Sequence, residues 1–217
     1  MKLKSFGCSF IYGTDLADDG RQREILAAPS KLTWPSLLAQ KRQWKYECFA
    51  RPGAGNLQIL EQVLNQLADP EPSVYVIGWT WIDRFDYTST DASRPWRTIM
   101  PVDTGHTAEV YYKNIHSEYR DKLTTLLNIK TAIDTLQQRK QRFIMTAMDA
   151  LAFDRRWNTS AAVAELQNYC EPYITSFEGK NFLDWSRSQG FEISSGWHPL
   201  EAAHRGAADL VASYNLV

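Results

Sequence analysis

The sequence is poor in most of the features that single out a specialised class of protein. It has three cysteines in 217 residues, Cys8, Cys48 and Cys170. An odd count with no close pair excludes a disulfide framework and the spacings of a thiolate metal site. It predicts reduced thiols and an intracellular, cytoplasmic location. Twenty-four Lys and Arg stand against 25 Asp and Glu, a formal net charge of −1. No broad field of one sign is therefore expected to draw in nucleic acid or an anionic membrane surface. No apolar run reaches the length that crosses a bilayer. Met1-Lys2-Leu3-Lys4-Ser5-Phe6 also lacks the apolar core of a secretory signal. Repeats, low-complexity tracts and linkers are missing, so one domain over 1–217 is the expectation.

Aromatic residues are plentiful, with eight Trp and ten Tyr. Such an excess lines a carbohydrate or apolar-ligand groove, or fills a core. Hydrophobic residues make up 44% of the chain, enough for a sizeable interior.

Strand and helix patterns alternate along the chain. Lys2–Phe6 reads as a strand ending at Gly7, and Trp44–Ala50 alternates as a second strand. The continuous apolar run Val74–Ile77 predicts a strand buried on both faces, and 143–147 predicts a fourth. Between them, Thr33-Trp34-Pro35 reads as a capped helix start with Leu37 and Leu38 facing the core. A helix after Asn56 places Leu60, Val63, Leu64 and Leu67 on one face. The stretch 108–139 is helical with a break near Ser117 and core positions Leu123, Leu126, Leu127 and Ile133. Thr159 to Cys170, Asn181 to Ser188 and Glu201 to Tyr214 predict three more helices. Residues 14–32 read as loop or frayed helix, and 80–107, without a period, as a binding loop. The expectation is a three-layer α/β/α domain with a flavodoxin-like parallel sheet.

In such a sheet the chemistry sits beyond the carboxyl ends of the strands. Four turns there carry groups suited to acyl transfer. Gly7-Cys8-Ser9 offers a hydroxyl nucleophile, and the Gly53 turn a backbone N–H. Gly78-Trp79-Thr80 offers a side-chain hydroxyl, and His198 a base. A nucleophile, a base and donors aimed at an oxyanion are the parts the reaction needs.

In these blocks the chain resembles the SGNH (GDSL-like) hydrolases. They carry a Gly-Asp-Ser turn near the N-terminus, a glycine turn after the second strand, Gly-x-Asn-Asp after the third, and Asp-x-x-His near the C-terminus. The Gly-Cys-Ser-Phe start, the Pro-Gly-x-x-Asn block and the His-Pro ending are similar to a divergent branch found in bacteriophages. The resemblance implies an esterase with Ser9 as nucleophile and His198 as base. The N–H groups of Ser9 and Gly53, with Thr80 in the place of asparagine, would form the oxyanion hole. Asn56, Trp81 and Arg84 are the expected substrate contacts, with Trp96 a further candidate. Asn56 could equally cap its helix, and Gly55 serves the turn. An acylated carbohydrate or similar small ester is the implied partner, and no metal or organic cofactor is implied. A binding or virion-associated module that has lost the reaction, or an acyltransferase on the same scaffold, remains open as an alternative.

Three positions depart from the family pattern. Cys8 replaces the Asp of the first block, Thr80 the Asn of the third, and Ser195 the Asp three before His198. The expected arrangement is a Ser9–His198 dyad, with the imidazole oriented by Ser195 or a backbone carbonyl. Glu192, Asp149 and Asp154 are the alternative carboxylates. His106 and His116 are expected in solvent, and His204 is expected to cap or pack on the last helix.

Overall fold

The structure is a computed structural model that describes residues 1–19, 28–90 and 95–214. Strand β1 (Lys2–Phe6) leads into a single-turn helix α1 (Ser9–Tyr12), then α2 (Trp34–Lys41) and β2 (Lys45–Cys48). Helix α3 (Asn56–Asn65) and β3 (Ser73–Trp79) follow, and then a hairpin of β4 (Phe85–Thr88) and β5 (Trp96–Ile99). Next come α4 (His106–Asn114), α5 (Glu118–Gln138), β6 (Arg142–Ala147), α6 (Ala161–Cys170), α7 (Phe182–Ser188) and α8 (Glu201–Ser213).

The four-stranded sheet has the order β2-β1-β3-β6, all parallel. A bridge between Met145 and Ile174 extends it with a rudimentary fifth position. That is the flavodoxin-like order, with the change of winding direction beside β1.

Side-chain alternation along the strands divides the interior in two. Leu3, Val76 and Ile144 enter a cluster with Trp34 and Leu38 of α2 and Ala203 and Ala207 of α8. Phe6, Tyr75, Ile77 and Met145 enter another with Ile59 and Val63 of α3, Ile129 and Ile133 of α5, and Val163 of α6. A sheet whose successive residues feed opposite clusters is covered by helices on both faces. The central β3 is buried throughout. Lys4, also on β1, is fully buried as well, its Nζ 2.8 Å from Asp69 at the amino edge of the sheet.

Several local expectations change. The stretch 80–107 is not wholly loop, because Phe85–Thr88 pairs antiparallel with Trp96–Ile99 as the two strands β4 and β5. Leu64 and Leu127 point outward, and Ile59, Ile129 and Leu136 take the core positions beside them. Thr33 precedes α2, but its hydroxyl meets Tyr46 Oη at 3.3 Å rather than capping. Helix α6 is capped by Ser160, one residue after Thr159. The break near Ser117 is real, and Ser117 caps α5 through the Arg120 N–H. Part of the 14–32 stretch, residues 20–27, lies outside the described residues.

Candidate active site

The site begins where β1 ends beside β3. Gly7 has φ +156°, and a Cβ there would lie 2.9 Å from the Gly78 carbonyl oxygen and 2.6 Å from Ile11. Only glycine fits that approach. The chain then turns into α1, with Ser9 as its first residue and Cys8 tucked into the core at 1% exposure. Cys8 therefore packs, and Ser9 alone presents a nucleophile at this turn.

Ser9 Oγ lies 2.9 Å from His198 Nε2. His198 Nδ1 in turn lies 2.7 Å from Oδ2 of Asp15, in the turn that follows α1. An ionised carboxylate only accepts, which assigns the proton to Nδ1 and leaves Nε2 to accept from the Ser9 hydroxyl. The imidazole is thus held in the tautomer a general base requires. This replaces the expected dyad oriented by a neutral group. Ser195 and Glu192 are exposed. Asp149 accepts from the N–H groups of Ile82 and Leu151. Asp154 pairs with Arg156, which pulls its carboxyl down to about 2.

Asp15 is held from several sides. It adopts φ +71°, a left-handed conformation that Asp tolerates better than bulkier residues. Its N–H donates to Asp19, and the Ala17 N–H donates to Glu201 at the start of α8. Ser194 gives its hydroxyl proton to Asp15 Oδ2 at 2.7 Å and accepts from the N–H groups of Gly196 and His198. One serine therefore shapes the His198 turn and binds the carboxylate. Gly196 is required by the same contact, since a Cβ there would lie 2.7 Å from Asp15 Oδ2. Asp15 and Ser194 are the residues missed from sequence. The available signal was the Asp-rich stretch after Gly13.

The other expected residues fall in three places. Trp81 and Arg84 line the Ser9 cleft of about 410 Å³. The Arg84 guanidinium stacks 4.9 Å over the Trp81 ring and donates to the Ala54 carbonyl. Gly53, with φ +81°, lines a neighbouring cavity of about 620 Å³ with Trp96, and the two spaces share Met100. Thr80 is 1% exposed, and its Oγ1 has no hydrogen-bond partner. Asn56 does not face the cleft. Its carboxamide accepts from the Thr80 N–H at 2.8 Å and donates to the Thr80 carbonyl and to Thr125, tying the second and third turns together. Nor does it cap α3, because Asp86 of the hairpin does so from outside. Asp86 accepts from the N–H groups of Gly55 and Gln58 and from the Thr98 hydroxyl.

The remaining histidines differ in kind. His106 is exposed at the start of α4. His116 is not simply solvated, since Nε2 lies 2.8 Å from the buried Asp121 carboxylate. It lines a further cavity of about 360 Å³ that shares Asp83 and Pro101 with the Ser9 cleft. Burial, then repulsion from Asp149, raises the Asp83 carboxyl above its usual range. His204 Nδ1 accepts from the Trp34 N–H at 3.0 Å and so caps α2 from α8. Burial pushes its imidazole down to about 3, so it is neutral.

Among the described residues no group of His, Cys, Asp and Glu could hold a metal ion, and no helix is long and apolar enough to cross a membrane. All three cysteines are free.

No family model and no curated protein matches the chain. Solved structures do. A member of the lipolytic G-D-S-L family from Veillonella parvula DSM 2008 is 13% identical, with 99% of this chain and 98% of that one covered and a TM-score of 0.54. The fold is that of the SGNH hydrolases. The psychrotrophic esterase EstA from Pseudoalteromonas sp., in a structure inhibited by monoethylphosphonate, is similar at 9% identity, TM-score 0.53 and coverage of 98% and 94%. A carbohydrate esterase described as having divergent catalytic and non-catalytic binding functions is similar at 15% identity, TM-score 0.54 and coverage of 98% and 67%. Within this fold the Ser9–His198–Asp15 line lies at the carboxyl edge of the sheet, where β1 ends.

Proposed function

We propose that the protein hydrolyses carboxylic esters through an acyl-Ser9 intermediate. The observation that carries the reading is the continuous line from Ser9 Oγ to His198 to Asp15, at 2.9 and 2.7 Å, opening on a cleft. Ser9 Oγ attacks the ester carbonyl while Nε2 of His198 takes its proton. Asp15 stabilises the imidazolium so formed without itself being protonated. Collapse of the tetrahedral intermediate expels the alcohol, which receives the proton from Nε2. Water, activated by the same imidazole, then releases the acid and restores Ser9.

The Ser9 N–H, at the first turn of α1, is assigned as one oxyanion donor. The Gly53 N–H and the Thr80 hydroxyl, which has no other partner, are assigned as the further donors. The alcohol side of the substrate is a small or carbohydrate alcohol. Trp81 and Arg84 beside Ser9 and Trp96 in the adjoining cavity support this, as does the likeness to a carbohydrate esterase.

The test is turnover of a small activated ester by Ser9→Ala and His198→Ala. Each should remove most of the activity, and the double variant should be little worse, because the two groups act as one unit. Near wild-type turnover by Ser9→Ala would refute the mechanism, and absence of turnover in every variant and in the wild type would leave a binding role for the fold.

A further inference from the structure

Among the described residues, the two most exposed large apolar side chains converge on the proposed reaction centre. Val102 is 81% exposed and Trp197 64% exposed, above every other large hydrophobic residue among those described. They come from different segments, one following β5 and the other preceding α8, yet both line the Ser9 cleft. Solvent exposure of a lone valine needs no explanation, but two such residues at the mouth of one cleft form a patch.

Trp197 is also held in an unfavourable backbone conformation. Its φ is +68°, in the left-handed region, which a bulky side chain rarely adopts. The turn that imposes this is closed by its N–H to the Ser194 carbonyl, and the Arg187 guanidinium rests 4.8 Å from its ring. The fold thus accepts both strain and exposure to keep an indole beside His198.

Deeper in the cleft the lining stays apolar. Phe10 packs edge-on against Trp81 at 5.4 Å and against the His198 ring at 5.1 Å, and Met100 and Pro101 complete the wall. Two charged residues, Asp83 and Arg84, also line the cleft. Arg84 is engaged with Trp81 and the Ala54 carbonyl, and Asp83 faces the adjoining cavity as well.

We infer that this wall is the acyl-chain site of the enzyme, with Trp197 and Val102 closing over an unbranched aliphatic acyl group longer than acetyl. The inference rests on the proposed ester hydrolysis at Ser9. Its chemistry is burial of methylene groups against Phe10, Met100, Val102 and Trp197, none of which offers the paired donors and acceptors a sugar ring would demand.

The experiment is a p-nitrophenyl ester series from acetate to octanoate, measured as kcat/KM for the wild type, Trp197→Ser and Val102→Ser. Each buried methylene is worth about a threefold to fourfold gain, so the wild type should prefer hexanoate over acetate by tenfold or more. Both substitutions should reduce that hexanoate-to-acetate ratio several-fold. Val102 lies in a segment remote in sequence from His198, so its variant holds the test open should Trp197→Ser disturb the base. A wild-type profile that is flat or falls with chain length overturns the assignment while leaving ester hydrolysis intact. So does an equal loss on all esters in both variants. Absence of turnover on every ester, with Ser9→Ala indistinguishable from wild type, refutes the underlying reading instead.

Discussion

Asp15 is the residue that most changes the chemistry read from the chain. A neutral group on Nδ1 would orient the imidazole without stabilising its charged form, and a slow enzyme would follow. A carboxylate 2.7 Å from Nδ1 does both. Replacing the acid by its amide in a well-studied serine protease costs on the order of 10⁴ in kcat. Asp15→Asn should therefore lose activity by a comparable factor, with KM little affected, in steady-state kinetics on a small ester. Ser195→Asp should change little, because Ser195 is exposed and Ser194 holds the inward position. An accelerated Ser195→Asp variant beside an active Asp15→Asn would return the account to a dyad. The nucleophile and base were readable because their neighbours, Gly7 before Ser9 and Pro199 after His198, mark turns in the sequence itself. The acid was not, because it reaches His198 from the turn after α1. Ser194 and Gly196 beside His198 are shaped by that contact, but neither names its partner in the sequence.

At the scale of elements, the hairpin is the part that periodicity concealed. Its strands are four residues each, Phe85–Thr88 and Trp96–Ile99, too short to show alternation clearly. What fixes it to the domain is Asp86, buried at 8% exposure, whose carboxylate caps α3. Gly55 exists to admit that carboxylate, since a Cβ there would lie 2.5 Å from its oxygens. Loss of such a cap costs about 0.5–2 kcal/mol, and urea denaturation of Asp86→Ala should show a loss in that range. Gly55→Ala should destabilise as well, but add little on top of Asp86→Ala, because both act on one contact. Additive losses would show that Gly55 serves something other than Asp86. Helices α2, α5, α7 and α8 were legible in the sequence, α2 through Pro35 in its first turn although Thr33 does not cap it. The facing of α3 and α5 was partly misjudged, because Leu64 and Leu127 sit at the borders of their apolar stripes.

Across the whole molecule, the order of alternating strands and helices sufficed to predict the parallel sheet, since few other arrangements bury a run like Val74–Ile77. The join between the helices on one face depends on a titratable group that no pattern announced. His204 on α8 caps α2 and packs on Phe182 of α7 at 4.8 Å. Its pKa in the folded protein, about 3, lies below the ordinary 6.5. The unfolded chain therefore binds a proton first as pH falls. Stability from this site is complete above about pH 6.5 and is lost progressively as the pH drops toward 3. Thermal unfolding followed across that window should show a falling midpoint, and His204→Gln should flatten that part of the profile. An unchanged slope in the variant would assign the acid sensitivity to other groups.

The central claim is that Ser9, His198 and Asp15 form one reacting unit in this fold. The most direct measurement is labelling of the intact protein with a fluorophosphonate, with the modified peptide identified by mass spectrometry and the rate compared with that of Asp15→Asn. Ser9 should be modified stoichiometrically in the wild type, and at a rate lower by orders of magnitude in Asp15→Asn. No modification at Ser9, or an equal rate in the two proteins, would contradict the claim.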